Sequence, residues 1–447
     1  MRRLSLMLAA LSLLAAAPAV PAAQSPRTAT IDAFVTDREG QQIQGLAAGD
    51  FRVVTADGKT IPVTGVREMT IPLAGRGKAT AAAETPLEAT NRHAAGARLF
   101  VVVAEPVVSD PGRRPTREFM DELVAGMRDD DQLALFVAGH PDRSLPPTND
   151  TTLIARVLDR FFELGAGDSG GLTSFMRYDM PKVYRSLMAV RWLQRTIVLL
   201  TPGYVGPEAF YDEKSWAAWA QRANAPMNGV DVVGGTRSMG LRLLPKATGE
   251  SGGLLLTTQP AMPGLASKIL SASSHFYEVQ VEFPAGVKTD QSVYTTVRTH
   301  PTSKTRARLR VRVAEPLDLS VHATNELRTA LSAALPMDEI PLSLSLDSTI
   351  GATAATVTFL TSGAADPQSV ELPAFPLRVA FGAVTDGGKM QEIGARDLGP
   401  EDIKIEGCCM TVQQDVVIPK NATSVRVAVY QHPTGKVGAV FLPIARE

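Results

Sequence analysis

Two uninterrupted apolar runs constrain this chain more than anything else in it. Arg98-Leu-Phe-Val-Val-Val-Ala104 leads into Glu105-Pro-Val-Val-Ser-Asp110, and Thr196-Ile-Val-Leu-Leu200 leads into Thr201-Pro-Gly203. Strands buried on both faces read as such runs, without the alternation of a half-exposed sheet, and they belong to parallel sheets covered by helices. Folds of that class place their ligands at the carboxyl ends of the strands, so the residues following Ala104 and Leu200 decide the available chemistry.

The pattern between residues 98 and 274 alternates strand and helix. A helix is expected from about Pro115 to Met127, and the acidic turn Asp129-Asp-Asp131 separates it from a strand at Gln132 to Ala138. Asp150 is placed to cap a helix over Thr151 to Leu164. A glycine-rich loop, Gly165 to Gly171, precedes a helix at Pro181 to Leu193. After Leu200 come a helix at Ala217 to Asn224, a strand at Gly229 to Val233 and a helix at Leu265 to Ser274. Alternation of this kind implies a parallel sheet with helices on both faces.

The flanks read differently. Residues 28–75 show β character, with an alternating run at Ile31 to Val35 and turns at Asp37 to Gly40 and Asp57-Gly58. Residues 76–96 are rich in Ala, Gly and Thr without periodicity and are expected to be a linker. β character returns over 276–315, and the two flanking segments are expected to pair into one module, because each alone has too few strands to bury a core. The remainder, 317–447, is expected to be a further β-sandwich, with turns at Asp386-Gly-Gly388 and His432-Pro-Thr-Gly435.

Composition excludes several classes of function. A net charge of −1 with no basic patch argues against nucleic acid, and 6% aromatic residues offers little for stacking bases or sugars. Arg2-Arg3, an apolar stretch from Leu4 to Ala17 and small residues up to Ala22 read as a signal peptide over residues 1–23. Its removal takes the net charge to about −3. The mature chain is expected to be periplasmic or secreted and without a membrane span. Cys408 and Cys409 are the only cysteines and are adjacent, so they cannot form a disulfide framework.

Several apparent motifs fail on chemistry. Asp129-Asp-Asp131 suits a solvated turn better than an acid/base pair. Gly165 to Gly171 lacks the Lys-Ser/Thr of a phosphate loop. The six histidines are scattered and form no zinc-binding pair, and no nucleophile elbow is present. The aromatic residues Tyr204, Phe210, Tyr211, Trp216 and Trp219 follow the second apolar strand; they suit either helix packing or a patch for a partner.

The strand at 98–104, the acidic turn, the Gly170-Gly-Leu-Thr173 segment and the Thr196 to Gly203 run together resemble a von Willebrand factor type A domain. The likeness is to bacterial exported proteins related to that domain. Their N-terminal signature has its counterpart in Val35-Thr-Asp37-Arg-Glu-Gly40-Gln-Gln-Ile43-Gln-Gly45-Leu46-Ala-Ala-Gly-Asp50-Phe51. Ala247 to Gly253, the helix at 265–274 and His275-Phe-Tyr277 match the close of the domain. The resemblance implies a fold of class α/β plus β, with a central Rossmann-like type A domain at 97–275 flanked by β-sandwich modules.

A type A domain usually holds Mg²⁺ through an Asp-x-Ser-x-Ser run, a later Thr and a further Asp. Here Ala104 or Glu105 stands in the first position, Pro106 and Val107 follow, and Thr201-Pro202 replaces the last Asp. Only Thr173 stays in register, with Ser109 and Asp110 displaced. One carboxylate and a hydroxyl hold Mg²⁺ poorly, so the expectation is a degenerate site with no metal, no cofactor and no catalytic residues. The rim over 105–115, 165–175 and 201–216, with Glu105, Ser109, Asp110, Thr173, Thr201 and Tyr204, is expected to meet an unidentified protein partner. The alternatives are an envelope-polymer hydrolase using Glu105 and Asp110 as acid and base, and a structural envelope component.

Overall fold

The computed structural model describes residues 27–37, 41–55, 58–73, 88–91, 97–104, 110–140, 143–163, 171–189, 194–201, 225–232, 253–257, 264–284, 293–298, 304–310, 323–348, 351–359, 376–386, 388–406 and 409–444, with a few single positions between 219 and 251. The fold is mixed α/β, with sheets predominating over helices. The leader read over 1–23 lies outside the described residues. Among those described, no helix is long and apolar enough to cross a membrane.

The two apolar runs lie side by side at the centre of a six-stranded sheet. Its order is Leu255–Thr257, Met227–Asp231, Gln194–Thr201, Arg98–Ala104, Gln132–Val137 and Leu145–Thr148. Every pairing is parallel except the last, which is antiparallel. Each residue of both central strands is buried, as expected of strands covered on two faces. Phe100, Val102, Val198 and Leu200 meet helices Asp110–Ala125, Thr151–Phe162 and Leu265–Ala272. Leu99, Val101, Ile197 and Leu199 meet helices Gly171–Tyr178 and Met180–Ala189 on the other face.

Two β assemblies flank this layer. Arg27–Thr36 pairs antiparallel with both His275–Phe283 and Lys304–Arg310, and His275–Phe283 also pairs with Val63–Thr70. A second sheet joins Val293–Val297, Phe51–Thr55 and Thr60–Ile61, and one apolar cluster including Ile31, Phe51, Val53, Tyr277, Val279 and Val297 lies among these strands. The α/β layer is therefore inserted between the chain segments that build this module.

The C-terminal assembly is a sandwich of a five-stranded and a four-stranded sheet over a core of Leu, Val and Phe side chains. Helix Ala323–Ser332 covers the outer face of the four-stranded sheet through Leu327 and Leu331.

The structure corrects the expectation of a featureless linker over 76–96. Glu88–Thr90 is a strand paired with Ser343–Ser345 at the edge of the C-terminal sandwich. No local periodicity marks so short a strand. It forms because the sandwich offers an edge, and the buried Asn91 fastens it there. The Asn91 amide donates to the Met337 and Ile340 carbonyls at 2.6 and 2.9 Å, and its oxygen accepts from Leu342 N at 2.7 Å.

Candidate functional site

The chain passes from Arg98–Ala104 outward to Gln132–Val137, then returns to place Gln194–Thr201 on the opposite side of the first strand. Strand order thus reverses between the two central strands, and their carboxyl ends flank the crevice where open α/β sheets take ligands. Register sets Ala104 beside Leu200, and Thr201 beside Asp231.

Thr201 does not lie on an exposed rim. The strand runs one residue further than the apolar pattern suggests, and Val232 N donates to the Thr201 carbonyl at 3.0 Å. Thr201 is consequently fully buried, so it cannot serve as a contact residue. Asp110 is the first residue of a helix that starts five positions before Pro115. Thr173 belongs to the first turn of helix Gly171–Tyr178 and not to a loop. This helix ends at Tyr178, and Pro181 stands in the first turn of the next; proline is tolerated there because first-turn N–H groups have no intrahelical acceptor. Glu105, Ser109 and Tyr204 lie outside the described residues, as do Phe210, Tyr211 and Trp216. Trp219 packs into the core against Tyr184, ring centres 6.4 Å apart.

A residue the sequence reading passed over is Asp231. It is fully buried at the carboxyl end of its strand, in register with Thr201 on one side and Thr257 on the other. The signal was present: a lone carboxylate at the end of the run Gly229-Val-Asp231. Among the described residues, no three His, Cys, Asp or Glu side chains come together as a metal cage.

The opposite end of the same sheet also differs from the sequence expectation. Asp131, expected in a solvated turn, is fully buried and accepts from the Arg98 backbone N–H at 2.9 Å and from Arg98 Nε at 3.0 Å. Arg128 N donates to the same carboxylate at 2.8 Å, and Arg98 Nη1 donates to the Leu270 carbonyl at 3.2 Å. A buried ion pair is tolerated when hydrogen bonds satisfy its remaining sites, and here they join two strands, a turn and the end of helix Leu265–Ala272. A cleft of about 380 Å³ opens on this side too, between the α/β layer and the C-terminal sandwich. Glu88, Gln132, Asp150, Arg156, Pro336 and Leu442 are among the residues lining it.

The N-terminal signature forms a clasp. Gly45 takes the left-handed conformation, φ 75°, and its N–H donates to Glu68 Oε2 at 3.1 Å. The Tyr277 hydroxyl donates to the Ile43 carbonyl at 2.8 Å and accepts from Leu46 N at 3.3 Å. Asp50 accepts from Ala47 N at 2.8 Å, and Phe51 packs on the Tyr277 ring. The buried His275 donates from Nε2 to Glu68 Oε1 at 2.7 Å, since an ionised carboxylate can only accept. Hydrogen bonding from His275, then from Gly45 N–H, with the charge of His275 adding to both, holds the Glu68 carboxyl below its ordinary 4.5; partial burial opposes this. Gly45, Leu46, Asp50, Glu68 and Tyr277 are thus engaged with one another or with neighbouring backbone, while His275 Nδ1 is buried without a hydrogen-bond partner among the described residues.

No family model matches the chain, and no curated protein matches it either. Among solved structures, one similar chain is the TFIIH p34 N-terminal domain, at 11% identity and a TM-score of 0.26, covering 39% of this chain and 97% of that one. Another is CapF with the inhibitor 3-isopropenyl-tropolone, at 6% identity and a TM-score of 0.19, covering 77% and 96%. Likenesses this weak carry no argument about function.

Proposed function

We propose that this is an exported protein whose α/β layer is a von Willebrand factor A-like, Rossmann-like domain that binds a protein partner at its carboxyl-end rim without a bridging metal ion. The observation that carries the reading is the reversal of strand order between Arg98–Ala104 and Gln194–Thr201. It sets the carboxyl ends of both strands side by side at one end of the sheet. Segments at that end of an α/β sheet carry binding, because the strands hold them without depending on their sequence. The donor set at the first strand supports a metal-independent mode. Ala104 contributes no oxygen side chain, Thr201 is sealed in the ladder, and Mg²⁺ demands a near-octahedral oxygen set.

The test compares capture of envelope proteins by the purified chain and by two variants. Asp110→Lys with Tyr204→Ala is expected to abolish capture. Val417→Asp, at an exposed position on the C-terminal sandwich, is expected to leave it intact. Titration calorimetry with Mg²⁺, Mn²⁺ and Ca²⁺ is expected to show no saturable heat. The reading fails if the rim variant captures normally while the sandwich variant does not, or if a divalent ion binds stoichiometrically.

A further inference from the structure

The two faces of the parallel sheet are closed in different ways. One face is covered by three helices of the α/β layer itself, Asp110–Ala125, Thr151–Phe162 and Leu265–Ala272. The other carries helices Gly171–Tyr178 and Met180–Ala189 and also takes a side chain from outside the layer. Leu335, fully buried, joins the cluster of Leu99, Met180, Val183, Tyr184 and Leu187.

Leu335 follows directly from the C-terminal assembly. Helix Ala323–Ser332 lies on the four-stranded sheet, where Leu327 and Leu331 pack with Ala380, Ala428, Tyr430 and Phe441. Its carboxyl end is gripped from the sandwich: Arg426 Nη1 donates to the Leu331 and Ala333 carbonyls, both at 2.7 Å, and the guanidinium lies over the Phe441 ring at 4.0 Å. A cation at the last carbonyls of a helix is favoured by the helix dipole as well as by the bonds. The next residue turns to the α/β layer, where Ala334 N donates to the buried Ser186 Oγ at 3.1 Å. Beyond Leu335 the segment returns to the sandwich, with the Met337 carbonyl accepting from Ala439 N at 2.8 Å. Residues 331–337 thus pass from one core into another and back.

We propose that this segment is a mechanical coupling, through which the C-terminal sandwich sets the position and stability of the helix pair Gly171–Tyr178 and Met180–Ala189. Arg426 fixes the helix end, the helix end fixes Ala334 and Leu335, and these fix Ser186 and the core around Tyr184. Close-packed interiors transmit displacement in this way because neighbouring side chains cannot shift independently. Thr173 rides on the same helix pair, so the sandwich reaches toward the proposed partner rim by this route. The coupling goes beyond the partner-binding reading and is measured with no partner present, so either can fail while the other stands.

Hydrogen exchange by mass spectrometry on the full chain tests it. Arg426→Met keeps the apolar stem, touches only the sandwich side, and is expected to speed exchange of the amides in 180–189 by about tenfold. Leu335→Ala should do at least as much, and Ser186→Ala a few-fold, while 110–125 on the other face stays within about twofold of the wild type. The proposal is overturned if Arg426→Met leaves 180–189 unchanged, or if it speeds both faces alike. Should Leu335→Ala unfold the whole chain, Arg426→Met and Ser186→Ala still decide the matter.

Discussion

The two ends of the central sheet are built on opposite principles. At the amino end, Arg98 and Asp131 are both fully buried and tied to the Arg128 N–H and the Leu270 carbonyl. At the carboxyl end, the first strand stops at Ala104, whose side chain can fasten nothing by a polar bond, and Asp110 opens a helix after a five-residue step. One end is fastened by a buried ion pair, and the other ends on a side chain that makes no polar bond. A scaffold that keeps its stability at one end can accept change at the other, which agrees with the proposal that the carboxyl rim carries binding.

The sharpest way to break that contrast is at Asp131. Asp131→Ala leaves the Arg98 guanidinium buried without its partner and should cost about 3–5 kcal/mol, read as a lower urea midpoint of the full chain. A loss under about 0.5 kcal/mol would mean the turn is a solvated one after all. A smaller effect is expected where the C-terminal sandwich takes its donated strand. Asn91→Ala deprives two carbonyls and an N–H of their partners and should cost about 2–3 kcal/mol in the same assay.

The smallest effect belongs to the N-terminal clasp and depends on pH. Glu68 titrates lower in the folded chain than in the unfolded one, so its contribution is complete above the ordinary 4.5 and is lost as pH falls through the lowered folded value. Glu68→Gln should therefore lower the melting temperature slightly at pH 7 and make no further difference in strong acid. Equal effects of the substitution at both pH values would remove the carboxylate from the account.

How far the sequence disclosed this arrangement depends on whether a residue's partners are local. The central strands were legible because an unbroken apolar run has few other places to go. Asp150 was legible as a helix cap, and its carboxylate does accept from Thr152 and Leu153 N–H. Leu145–Thr148 was not, because its two prolines argue against a strand; it survives as the sheet's antiparallel edge, where a missing N–H costs little. Glu88–Thr90 and Asp131 were missed for a shared reason. The edge that recruits the first lies some 250 residues along the chain, and the arginine that buries the second is 33 residues away.

The candidate site was less legible than the fold. Thr201 was expected on the rim because Thr201-Pro202 follows the apolar run, yet the neighbouring strand ending in Asp231 draws it into the ladder. Thr173 fell in a helix because nothing in Gly170-Gly-Leu-Thr173 signals where the glycine run ends and the helix starts. Asp231 could have been found by asking which strand ends carry a lone carboxylate.

Cross-linking mass spectrometry on the captured partner complex, in the presence of a chelator, is the most direct test of the rim. The account predicts cross-links concentrated at 105–115, 171–178 and 204–216, with a yield unchanged by chelation. Cross-links confined to the C-terminal sandwich, or a complex that dissolves when divalent ions are removed, would contradict it.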